Sequence, residues 1–300
     1  MTTPTEPKAD ASPQGASAET RQARSSVWRD VAKAPLSAKL GMAIIVIYIA
    51  VALFAPLLAP YSETDIVGKQ FEEWSSNFIL GTDNLGRDML SRLLYGARNT
   101  LGIAFATTML AFAIGGALGM LAAGKGGWFD QIVGRLVDII MGIPQIIFAL
   151  LLLSFFGTSA LSLIAIITFL DSTRIFRVTR AISMNVLALD FVDAARLRGE
   201  SLAWILWYEI RPNIMAPLLA ELGVRFCFVF LLISSLSFLG LGIQPPTADW
   251  GSMVRDNASL ITYQDITPLL PAAAIGVLAV AVNFVVDWLV QKSAGGAISL

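Results

Sequence analysis

The sequence predicts an all-α, polytopic membrane protein with about six transmembrane helices and both termini in the cytoplasm. Three observations carry this. Only 14% of the 300 residues are charged and 56% are hydrophobic, whereas a soluble domain carries about a quarter charged residues. Six apolar runs, at about 40–60, 100–123, 132–156, 159–177, 214–240 and 268–290, each approach the roughly 20 residues that cross a bilayer core as a helix. Arg21, Arg24, Arg29, Lys33 and Lys39 crowd the approach to the first run, which keeps that end inside by the positive-inside rule. An even number of crossings then returns the C-terminus to the same side.

In chain order, residues 1–36 are predicted as a disordered cytoplasmic tail, rich in Ala, Ser, Thr, Pro and charge. A cleaved signal peptide is not expected, since no apolar run begins before residue 40. Residues 37–99 hold the first span and an outer, periplasmic segment. Residues 100–292 hold the remaining spans, with inner loops at 124–131 and 178–213 and an outer loop at 241–267; residues 293–300 are a C-terminal tail. The fourth run is the most polar, ending in Asp171, Arg174 and Arg177. Arg87, Arg92 and Arg98 oppose the positive-inside rule in the 61–99 segment. They fall on a stretch whose Met89, Leu90, Leu93 and Leu94 mark a short amphipathic helix on the outer surface. Gly115, Gly116 and Gly119, with Ala122 and Ala123, line one side of the second span, where small residues let transmembrane backbones approach closely.

Several chemistries are excluded. With no histidine and a single cysteine, Cys227, inside an apolar run, neither a disulfide framework nor a Cys/His metal site can be built. Gly119 to Gly126 nearly spells a phosphate-binding loop, but the hydroxyl that would hold Mg²⁺ is replaced by glycine, and the segment closes an apolar helix instead of joining strand to helix. The chain is therefore not expected to be an enzyme or to hold a cofactor, and any energy must come from another chain.

The stretch from Asp190 to Pro217 stands out as charged sequence between apolar runs. Asp193, Ala194 and Ala195 open a short helix, Gly199 ends it in a left-handed turn, and Ser201 caps the next. The second helix sets Leu202, Ile205 and Leu206 on one face before Pro212 stops it. Two short helices at a fixed angle, with small residues on the first, make a shallow surface for another protein. An amphipathic loop resting on lipid headgroups fits the same residues.

Asp193-Ala194-Ala195, then Gly199, then Ile210-Arg211-Pro212 resembles the EAA loop of ABC importer permeases. Residues 80–98 (LGTDNLGRDMLSRLLYGAR), 126–144 (GGWFDQIVGRLVDIIMGIP) and 237–251 (SFLGLGIQPPTADWG) resemble, in order and spacing, segments of the dipeptide/oligopeptide (peptide/nickel) group, "C"-type subunit. This resemblance covers roughly residues 36–290. It implies a type I ABC importer permease fold in a bacterial inner membrane. The implied partners are a second permease subunit as a heterodimer, two ABC ATPase subunits that hold ATP and Mg²⁺, a periplasmic or lipid-anchored solute-binding protein, and membrane lipid; no nucleic acid is implied. Asp193, Ala194, Ala195, Gly199, Ser201, Ile210 and Pro212 would couple to an ATPase groove. Asp in place of Glu at 193, Glu200-Ser201 after the glycine, and Val286-Asp287-Trp288-Leu289-Val290-Gln291 near the C-terminus depart from the family pattern.

In the fifth span Glu221 and Arg225 lie four residues apart on one helix face. They either neutralise each other or face the pore, where Arg225 would meet a carboxylate of the cargo. Peptide is the expected cargo. A secondary transporter driven by an ion gradient is the alternative; it would need coupled acidic groups deep in the spans and an inverted repeat, and no repeat is evident.

Overall fold

The computed structural model describes residues 34–297, so most of the expected N-terminal tail lies outside the described residues. The described chain is helical, with two isolated β-bridges, Ile66 to Arg87 and Thr82 to Asp88. Its long helices are α1 (Leu36–Leu58), α2 (Met89–Lys125), α3 (Gly127–Met141), α4 (Gln145–Phe156) and α5 (Ala160–Leu187). Then come α6 (Asp190–Leu197), the single turn α7 (Leu202–Trp204), a π-helical turn (Ile205–Ile210), α8 (Arg211–Phe238), α9 (Trp250–Asp256), a 3₁₀ turn (Ala258–Tyr263) and α10 (Leu269–Ala297). The expected tail after residue 292 is helical as far as Ala297.

Among the described residues, four helical stretches are long and apolar enough to cross a membrane: Leu36–Leu58, Met89–Lys125, Leu202–Phe238 and Leu269–Gln291. The run expected as one span over 132–156 is broken. Helices α3 and α4 meet at 89° across Gly142, Ile143 and Pro144, and together they give a fifth crossing if taken as one. The proline supplies the break, since it has no N–H to continue the ladder and its ring crowds the preceding turn. Helix α5 is 28 residues long but carries Asp171, Arg174, Arg177 and Arg180, which keeps it out of that apolar set.

Packing is closest where the sequence offers glycine. Helices α2 and α5 run parallel: a Cβ on Gly115 would lie 2.4 Å from the Ser172 carbonyl oxygen, and one on Gly119 2.7 Å from that of Phe176. Lipid tails give no hydrophobic drive between helices, so close backbone approach and dispersion hold the pair. Helix α1 packs antiparallel on α10. A Cβ on Gly41 would lie 2.5 Å from the Ala281 carbonyl oxygen, and the Tyr48 hydroxyl donates to the Ala274 carbonyl at 3.0 Å. The main core gathers Met89, Leu153, Leu163, Ile167, Phe230, Ile233, Trp250 and Met253.

The Met89–Arg98 stretch is the start of α2, not a separate surface helix. Two of its neighbouring arginines are buried: Arg87 and Arg92 are 4% and 2% exposed and converge on Asp83, at 2.7 and 3.2 Å. Paired in this way, they no longer count as free positive charge in the outer segment. Around them the 59–88 segment, α2 and the loop before α9 are cross-linked. Arg92 donates to the Glu63 and Pro246 carbonyls, Asn99 donates to the Glu63 carboxylate and the Ala248 carbonyl, and Thr100 donates to Asp249, which caps α9.

Candidate functional site

The end of the bundle opposite that cross-linked cap is formed by the C-terminal turns of α2 and α5, the start of α8, and an elbow made of α6 and α7. Helix α6 begins at Asp190, so Asp193 and Ala194 sit a turn inside it. Its apolar face is anchored by Val192 and Ala195, both fully buried, against a cluster with Ile205, Leu206, Ile210, Ile214 and Leu218. The helix closes as a Schellman motif. Gly199 takes φ +82°, its N–H donates to the Arg196 carbonyl at 2.9 Å, and the Glu200 N–H reaches the Ala195 carbonyl at 3.2 Å. Ser201 then accepts from the Trp204 N–H at 3.3 Å and caps the next helix.

These contacts place the anchors inward and the charges outward. Asp193 and Arg196 pair at 3.0 Å on the exposed face, a geometry worth only a few tenths of a kcal/mol. Leu197, at the tip, is 90% exposed, and nothing lies within 4 Å of a Cβ placed on Gly199. Arg198 returns toward Glu209 at 3.6 Å. The elbow also rests on α2, where a Cβ on Gly124 would meet Leu202 and Leu206 at 3.0 and 2.9 Å.

One expectation for this loop is corrected. Pro212 does not stop the second helix; it lies within a continuous stretch from Leu202 to Phe238. The π turn just before it explains how. The Arg211 N–H bonds to the Leu206 carbonyl five residues back, and this wider turn receives the proline ring, while Pro212 falls at the start of α8 where a missing N–H is tolerated. Ile210 is fully buried and belongs to the anchoring cluster, whereas Pro212 is exposed.

Glu221 and Arg225 lie elsewhere, about 16 and 22 Å further along the same helix from Ile210 at 1.5 Å per residue. They do pair, Arg225 Nε to Glu221 Oε1 at 2.5 Å. A third member was not anticipated as a partner. Asp171 of α5 lies 4.0 Å from Arg225, is 1% exposed, and neither of its carboxylate oxygens has a hydrogen-bond donor. In sequence, Asp171 reads only as the polar end of the fourth run. The usable signal is its three-residue spacing to Arg174, Arg177 and Arg180.

Residues 115–294 match the family described as binding-protein-dependent transport system inner membrane component. Residues 25–73 match the N-terminal TM domain of oligopeptide transport permease C. Among similar proteins, the dipeptide transport system permease protein DppC of Alkalihalophilus pseudofirmus is 32% identical over 273 residues, covering 88% of each chain. The di/tripeptide transport system permease protein DppC of Pseudomonas aeruginosa is 32% identical, covering 83% of this chain and 84% of the relative. The peptide transport system permease protein SapC of Escherichia coli is 35% identical, covering 78% and 82%. These relatives do not favour a carrier driven by an ion gradient. The chain belongs to the inner-membrane components of binding-protein-dependent transport systems, the permease subunits of ATP-binding-cassette importers.

Proposed function

We propose that this chain imports peptides, as one of two different permease subunits whose interface forms the pore. On this reading two ATPase subunits, which carry the ATP and Mg²⁺, dock at the α6 end, and a periplasmic or lipid-anchored binding protein delivers cargo at the other. Counting α5 as a crossing gives six spans and puts both termini in the cytoplasm. Residues 37–99 then supply the first span and the periplasmic segment, 100–292 the permease core, and 178–213 the cytoplasmic coupling loop.

The observation that carries this reading is the elbow. An eight-residue helix with two fully buried anchors holds Asp193, Ala194, Leu197 and Gly199 exposed at the extremity of the bundle. A helix that projects apolar and charged side chains from a rigid base fits a groove on a partner. Closure of the ATPases would push it and swing the permeases between inward- and outward-facing states, a rigid-body transition. The relatives named for dipeptides, di/tripeptides and peptides support the cargo class.

The test is Gly199→Trp. Because the site is open, the indole projects into the docking face, and the left-handed backbone adds strain. The variant should insert and pair with its permease partner yet lose ATPase co-purification, or hydrolyse ATP without uptake. Normal coupled uptake would overturn the assignment of the elbow.

A further inference from the structure

Of the three arginines near the start of α2, Arg87 and Arg92 are paired with Asp83. Arg98 is not. Its side chain is exposed, and its guanidinium makes no ion pair or hydrogen bond among the described residues. Its depth follows from the turn above it. The Tyr61 N–H donates to the Ser91 hydroxyl at 3.1 Å, just after the chain leaves α1. Arg98 lies seven residues further along α2, about 10 Å nearer the middle of the span. A guanidinium at that depth on an apolar wall is costly unless it reaches the headgroups or meets an anion.

Arg98 borders an open hollow of about 560 Å³. With Gly102 and Phe105 it recurs at helical spacing on one face of α2. Ile49 and Leu53 of α1 and Phe226 of α8 also line the hollow, and among the described residues Arg98 is its only charged group. Nothing lies within 4 Å of a Cβ placed on Gly102, so the protein leaves the space unfilled. Leu53 and Phe105 are 69% and 58% exposed. The hollow is also short. Arg98 to Phe105 is about 10 Å, less than half of a bilayer core about 30 Å thick. Deeper in, α1 is pressed onto α10 at Gly41, and α2 onto α5 at Gly115 and Gly119. A helix of a partner subunit would need a groove running the length of the span. A half-length hollow with a cation at its outer mouth has instead the outline of a single lipid.

We infer that this hollow binds an anionic phospholipid, with its phosphate on Arg98 and one acyl chain lying against Gly102 and Phe105. A guanidinium takes two phosphate oxygens at once, and the apolar walls below take the tail. A head of net negative charge is favoured over a zwitterionic one, whose own ammonium competes with Arg98 for the phosphate. The lipid completes the contact of α1 with the bundle where the protein leaves it open. This goes beyond the transport reading and shares with it only the placement of the α9 end on the outer side.

The experiment uses the assembled transporter in nanodiscs doped with phosphatidylglycerol that carries a photoactivatable diazirine in one acyl chain. A phosphatidylcholine probe with the same tail is run in parallel, and crosslinked peptides are located by mass spectrometry. Labelling by the anionic probe should concentrate on residues 45–53 and 98–105. It should exceed that of the exposed apolar face of α4, at Leu151 and Phe155, by at least about tenfold. Arg98→Gln should lower it about tenfold, and Arg98→Lys should restore part of it, since a point charge still attracts phosphate. Gly102→Phe, which enters open space, should abolish it with Arg98 in place, and it keeps the test decisive if Arg98→Gln fails to assemble. Labelling equal to that of α4 would overturn the site, reducing it to ordinary contact with lipid. No labelling at all would overturn it in favour of a covering subunit. Equal labelling by the two probes would overturn the preference for an anionic head. These readouts are independent of uptake and of ATPase co-purification, so they fail separately from the reading of the elbow.

Discussion

The two ends of the bundle are built on opposite principles. At the α9 end, the buried Asp83, Arg87, Arg92, Thr100 and Asp249 and the half-buried Glu63 and Asn99 form a bonded set that ties three separate segments together. At the α6 end, a short helix is fixed by two apolar anchors and keeps its ion pair in solvent. Buried charges are costly to separate, whereas solvent-exposed pairs contribute little. One end is therefore a fixed cap, and the other is a fitting left open to receive a partner.

The largest expected effect breaks the cap. Asp83→Ala leaves two guanidinium groups, Arg87 and Arg92, nearly buried without their carboxylate, which should destabilise the protein by about 3–5 kcal/mol. A large fall in melting temperature of the purified protein would show it, and an unchanged melt would mean that water already serves these arginines. A smaller effect is expected midway, in the α2–α5 seam. Gly119→Val puts a side chain where even a Cβ would sit 2.7 Å from the Phe176 carbonyl oxygen, and overpacking of this kind costs about 1–3 kcal/mol, visible in the same melt. The smallest effect on stability belongs to the elbow. Leu197→Ser, at an almost wholly exposed tip, should move the melting free energy by no more than about 0.5 kcal/mol while lowering uptake per ATP hydrolysed. A stability loss comparable to that of the seam variant would erase the contrast between the two ends.

Four of the six apolar runs were legible as spans because a helix in lipid must satisfy its backbone internally, and that demand writes itself as length and composition. The elbow was legible for a different reason: Gly199 and Ser201 are local punctuation whose geometry depends on few neighbours. What could not be read depended on partners distant in sequence. Arg87 and Arg92 looked like misplaced surface charge because their burial requires Asp83 and the carbonyls of Glu63 and Pro246 to be brought in by the fold. Pro212 looked like a terminator because the π turn that admits it leaves no composition signature. The break at Gly142–Pro144 lay in plain view, but a run of apolar residues on both sides masked it. Asp171 marked the end of a run, and its burial beside Arg225 depends on a helix distant in sequence.

The widened turn at Ile205–Ile210 has one more consequence. Leu202, Leu206, Ile210, Ile214 and Leu218 recur every fourth residue, and in a regular helix such a row drifts by about 40° per step. The π turn unwinds part of that drift and keeps the row against a single cluster. It thereby indexes the whole of α8 to the elbow, as a key fixes a shaft to its hub. Deleting one residue from the turn would restore ordinary helix and rotate everything beyond it by about 100°. Arg225 would then face away from Asp171 with no residue at either place altered, so the timing between the two ends of this helix is set by one surplus residue.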